Sequence, residues 1–199
     1  MSTVVAVPEP LRFFIERPPT ARAINDLLEK TTAPDDLQWQ DFPDLIKARL
    51  TARTVQAHFA LFLHDLWRVT WGTALTEAGI DLRQWQETWD DVGQEEVWND
   101  RGFTAKGRIG RKPLHFSVWL SESDRPRVFN GQVGFYIKDG TYHWSNDLEL
   151  PAPWDAEPDD DYRVTDDALI CISSETATFD AAPLLLATRD ALDVMRRCA

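Results

Sequence analysis

The sequence predicts an α+β fold: one domain over residues 1–199, with N-terminal helices followed by an antiparallel β-meander of four to five strands and a C-terminal helix. Three observations predict it. Apolar residues recur at steps of three and four as far as about residue 93. From Phe103 the apolar period changes to two. After Asp180 the three-to-four spacing returns and runs to Arg197.

Residues 1–19 contain Pro8, Pro10, Pro18 and Pro19. Proline removes backbone donors and disfavours helix, so this segment reads as an extended lead-in anchored by Leu11, Phe13, Phe14 and Ile15. The helical region is expected over 20–93. Thr20 is a candidate N-cap for a first helix carrying Ile24, Leu27 and Leu28. Leu45, Ile46, Val55, Phe59, Phe62, Leu63, Leu66 and Val69 form the clearest helical stripe in the chain. Gly72 and Gly79 are candidate ends of that helix. A third helical element is expected from Asp81, with Leu82, Trp85, Trp89 and Val92 on one face and Gly93 as terminator.

The sheet is expected over 98–173. Phe103, Ala105, Gly107 and Ile109 alternate with Thr104, Lys106 and Arg108. Leu114, Phe116, Val118 and Leu120 alternate with His115, Ser117 and Trp119, and Phe129 to Ile137 form a third set. Such alternation marks half-buried antiparallel strands. Gly110 to Pro113 is a short turn, and Asp139-Gly140 is a two-residue hairpin signal leading into Thr141 to Trp144. Residues 151–167, with three prolines and seven acidic residues, read as an acidic loop. A further strand follows at about Ala168–Ser173. Asp180 caps a helix over 180–197 that carries Leu184, Leu185, Leu192 and Met195. Arg196 and Arg197 suit the negative end of its dipole.

Composition narrows the function classes. Hydrophobic content of 43% and charged content of 27% are ordinary for a globular chain. The first ten residues have no basic n-region, and no apolar run approaches the ~20 residues of a membrane span. Only Cys171 and Cys198 are present, which excludes a disulfide framework and a zinc site built from cysteines alone. The chain is expected to be cytoplasmic, and Cys171, in an apolar run, is expected to be a buried inert thiol.

The net charge of −12 argues against general affinity for nucleic acid or anionic membranes. The charge is strongly segregated, however. Between Arg101 and Lys138 eight basic residues face two acidic ones, a net of +6 that leaves −18 for the rest of the chain. Lys106 and Arg108 share a strand face, Arg111 and Lys112 sit at the next turn, and Arg125 and Arg127 lie in the following loop. Trp119 and Tyr136 could add stacking planes. These eight residues are the candidate binding set. The alternative is a solvated sheet whose cations balance acidic helices of the same chain.

Other chemistry is poorly supported. There is no Gly-rich phosphate loop, no Gly-x-Ser-x-Gly and no His-Glu-x-x-His. None of the five lysines follows an acidic residue at the two-residue spacing used by many metal-dependent nucleases. The acidic stretch Asp155 to Asp161 lacks the glycine and ligand spacing of a calcium loop. His58 and His64, six apart on a helix, face different directions. His115 and His143 could approach each other across the sheet, near Asp147 or Cys171.

Of the nine tryptophans, Trp67 and Trp71 lie slightly off the main helical stripe and are the pair most suited to face a partner. The expectation is therefore a non-enzymatic protein-binding protein of inhibitor, immunity, antitoxin or adaptor type, with no cofactor or metal, whose partner is another protein. The alternatives are a hydrolase with a site between sheet and helices that includes His115 and His143, or a binder of an anionic ligand or nucleic acid on the basic face.

Overall fold

The computed structural model describes residues 2–17, 38, 40, 42–89, 101–110, 112–122, 127–136, 148–155, 163–165 and 169–198. The expected first helix near Ile24, the Asp139-Gly140 hairpin, Thr141 to Trp144, and most of the acidic stretch lie outside them.

The lead-in is not simply extended. It holds a short strand, β1 (Val4–Ala6), and a helix, α1 (Glu9–Glu16). Pro10 sits in the first turn of α1, where its missing N–H would have had no partner anyway. Leu11 and Ile15, one turn apart, are both buried, so two of the expected anchors hold in helical form, whereas Phe13 is exposed on the other side of the helix.

Helix α2 (Phe42–Trp67) runs unbroken through Thr51, a length of about 39 Å at 1.5 Å per residue. Its buried stripe is Ala52, Val55, Phe59, Phe62, Leu63, Leu66 and Trp67. A π-helical turn, Arg68–Gly72, continues it directly into α3 (Thr73–Glu77). The wider i→i+5 turn slows the angular advance of the chain, so Trp71 stays on the side of Trp67. Gly79, at φ +74°, ends this run. Ile80 N–H donates to the Leu75 carbonyl and Gly79 N–H to the Thr76 carbonyl, the paired bonds of a Schellman cap.

The third helical element is replaced by a single 3₁₀ turn, Leu82–Gln84, and a strand, β2 (Gln86–Trp89). Asp81 does cap the short turn, accepting from Arg83 N–H. Leu82, Trp85 and Trp89 have helical spacing, yet pairing of β2 with the next strand outweighs it.

The main sheet is antiparallel, in the order β2, β3 (Arg101–Ile109), β4 (Lys112–Glu122), β5 (Val128–Tyr136), β6 (Arg163–Val164). Strand β7 (Cys171–Ser173) also pairs with β5. Strand β8 (Thr178–Asp180) pairs with β1 in a separate two-stranded ribbon. The stretch expected as an acidic loop thus contributes to the sheet. Arg163 to Thr165 pair with β5 and with Trp154, which is buried, and Asp155 N–H donates to the Val164 carbonyl.

Helix α4 (Ala182–Cys198) starts where expected: Ala182 N–H donates to the Asp180 carboxylate, which also accepts from Thr3 Oγ. Leu184, Leu185, Leu192 and Met195 are all buried. Among the described residues, α2, the π turn, α3 and α4 pack on one face of the sheet and form one core cluster with it.

The tryptophans bind the two layers together. Trp67 Nε1–H donates to the Phe116 carbonyl at 2.9 Å and Trp71 Nε1–H to the Ser117 carbonyl at 3.0 Å. Trp71 stacks on Phe116 with centroids 4.1 Å apart, and Trp85 stacks on the same ring at 5.3 Å. Trp67 and Trp71 are buried core anchors, which corrects their expected role as a partner-facing pair.

Candidate functional site

Register assigns each strand residue to a face. Phe103 lies opposite Val118, Ala105 opposite Phe116, and Phe116 opposite Phe135. This face carries the core. The other parity defines the outer face, turned away from α2 and α4. One row crosses it through Gln86, Lys106, His115 and Tyr136; the next passes through Thr104, Ser117 and Gly134; a third holds Trp119 and Gln132.

Lys106 and Arg108 are exposed on this outer face, as expected from their two-residue spacing. Neither forms an ion pair with a described residue. Tyr136 joins them, two strands from Lys106 in the same row. Lys112 begins β4 opposite Ile109, in the parity of Leu114 and Phe116, so it borders the other face. Arg127 is exposed in the turn before β5, with φ +64°. It lies beside the far end of β4, about 33 Å from Lys112 at the rise of a strand. The described cations therefore divide between the two ends of the sheet. Arg111 and Arg125 lie outside the described residues.

Trp119 is on the outer face but tied into it. Its Nε1–H donates to Gln132 Oε1 at 2.9 Å, and Gln132 Nε2–H donates to the Thr165 carbonyl at 3.1 Å. Its indole lies over Gly134, where any Cβ would collide with the ring. Covering a sheet glycine with a cross-strand aromatic protects exposed backbone, and this explains Trp119 without a ligand.

His115, expected only as a lining residue of the alternative hydrolase site, stands in the middle of the first row. Its ring packs on Tyr136 with centroids 4.1 Å apart, and Lys106 lies directly opposite. Its Nδ1 is buried and has no hydrogen-bond partner. Burial, and then the nearby Lys106 charge, push its pKa down to about 4. The imidazole is neutral at neutral pH and has no carboxylate among the described residues to hold it charged. His143, its expected companion in a hydrolase, lies outside those residues. His58 is exposed on α2, and His64 meets Phe103 edge-on at 5.1 Å on the core side.

Beside His115, the Thr104 and Ser117 hydroxyls are buried and bond to each other at 2.7 Å. Cys171 is exposed rather than buried. It falls opposite Asn130 on the outer parity, while its neighbour Ile172 takes the core position beside Phe129. No group of three metal-ligating side chains occurs among the described residues, and no described helix is long and apolar enough to cross a membrane.

No family model, no curated protein and no solved structure matches the chain.

Proposed function

We propose that this is a cytoplasmic, non-enzymatic protein-binding protein of inhibitor, immunity, antitoxin or adaptor type. An acidic surface of a partner protein docks on the outer sheet face at the end formed by Lys106, Arg108 and Tyr136. The observation that carries this reading is the orientation of the two cations. They point away from the helical layer and form no ion pair with a described carboxylate. Unpaired surface charge of one sign steers association and sets partner choice. Two exposed free thiols, Cys171 and Cys198, suit a reducing compartment.

The test is charge reversal. Lys106→Glu with Arg108→Glu should remove the retained partner from an affinity capture of cell extract, by about tenfold or more for two opposed charges. Both side chains are exposed, so the urea midpoint should stay within the range of ordinary surface substitutions. An unchanged set of captured proteins defeats the reading.

A further inference from the structure

We propose that Lys106 and His115 form the seat for a carboxylate of the docking partner, and that the seat takes up a proton when it is filled. The proposal rests on the reading above and names the chemistry of the partner surface: an extended segment rich in aspartate or glutamate.

Four observations converge on this end of the outer sheet face. Lys106 is exposed and without an ion pair to any described residue. His115, directly across from it, carries a buried Nδ1 with no partner. Buried polar atoms in native proteins are nearly always satisfied, so an orphaned one calls for a missing group. Tyr136 closes the other side of the imidazole and fixes the plane of the ring. Arg108 stands two residues along the same strand face and extends the positive field.

Among the described residues, the charged and titratable groups on the side of His115 are Lys106 and Arg108 from β3 and Tyr136 from β5; β2 presents the uncharged Gln86 to the same row. No described carboxylate offsets them. A carboxylate entering between Lys106 and His115 supplies the missing counter-charge. It favours the imidazolium, raises the His115 pKa and is bound more tightly once the proton is taken up. One covalent bond is made, the N–H of the imidazolium, and one is broken, in the solvent acid that gives up the proton. One proton moves from solvent to the imidazole.

The probe is a synthetic twelve-residue aspartate-rich peptide, with an asparagine-rich peptide and polyphosphate as comparisons. Its affinity is measured by calorimetry at pH 7.5 and 5.5, where aspartate side chains stay largely ionised. His115 is followed through its Cε1–H resonance. If the bound peptide raises the His115 pKa to about 6, linkage makes binding about fourfold tighter at the lower pH. The resonance midpoint should rise from about 4 by the same interval. His115→Gln should lose the pH dependence of binding.

The resonance measurement uses the unaltered protein, so it stands even if the variant misfolds. Binding that requires Lys106 and Arg108 but is independent of pH, with an unmoved His115 resonance, overturns this inference and leaves the proposed function intact. Failure of the aspartate peptide to bind at all overturns both. Preference for polyphosphate, with the same resonance shift, assigns the seat to phosphate rather than to a protein carboxylate, and overturns the partner named here.

Discussion

Replacing Gly107 by alanine pushes a methyl group into the indole of Trp85. An ideal Cβ at Gly107 would fall inside van der Waals contact with Cδ2, Cε2 and Cε3 of that ring. Gly107 is not at positive φ, so its backbone accepts alanine without strain. Loss of glycine flexibility in the unfolded chain alone would stabilise by about 0.4–1 kcal/mol. Against that stands the collision. Overpacking typically costs about 1–3 kcal/mol. Moving the indole aside gives up its stack on Phe116, a further ~0.5–1.5 kcal/mol. The net expectation for Gly107→Ala is destabilisation by about 1–3 kcal/mol. In a Trp85→Ala background the collision is gone, and the same substitution should be neutral or stabilising by up to about 1 kcal/mol. Urea unfolding followed by circular dichroism on the four proteins of this cycle measures the coupling, expected at about 1–4 kcal/mol. An equal cost of Gly107→Ala in both backgrounds would refute the placement of Trp85 on the sheet.

Two further outcomes test the layers and the outer face. Trp71→Phe removes the donor to the buried Ser117 carbonyl, at about 1–3 kcal/mol, and leaves a void beside Phe116. Its melting temperature should fall by several degrees; an unchanged value would return Trp71 to the surface role expected from its helical position. Folded His115 resists protonation until about pH 4, whereas the unfolded residue titrates near 6.5, so in this window the unfolded state binds more protons and stability rises with pH. The free protein should therefore lose stability relative to His115→Gln as pH falls from 6.5 to 4, and parallel urea midpoints across that range would contradict the burial of the imidazole.

Much of the sheet was legible in the sequence because strand alternation is a local signal. Phe103, Ala105, Leu114, Phe116, Val118 and Leu120 are buried as their spacing predicts, and Lys106 and Arg108 are exposed on the opposite parity. Asp180, Gly79 and the stripe from Val55 to Leu66 were readable for the same reason: caps and helical faces depend on neighbours within a turn or two. Reading failed where two local signals compete. Pro10 counted against helix, although a first-turn proline is compatible with one. Leu82, Trp85 and Trp89 had helical spacing, but a strand edge was available to pair with.

The candidate site was only half legible. Lys106, Arg108 and Tyr136 were named from the sequence; their meeting with His115 in one row depends on the registers between β3, β4 and β5. The same registers separate Arg127 from them by the length of a strand. By itself, then, the sequence determined the α+β class, the order of most elements, the inward residues of the meander and the segregation of charge. Each follows from periodicity or composition, which a chain carries before it folds. Only the tertiary structure decided that Trp67 and Trp71 bond to the sheet, that Cys171 faces outward, and that a buried His115 Nδ1 without a hydrogen-bond partner lies in the row of Lys106. Those facts arise from contacts between residues distant in sequence, where register and burial, rather than residue type, select the neighbour.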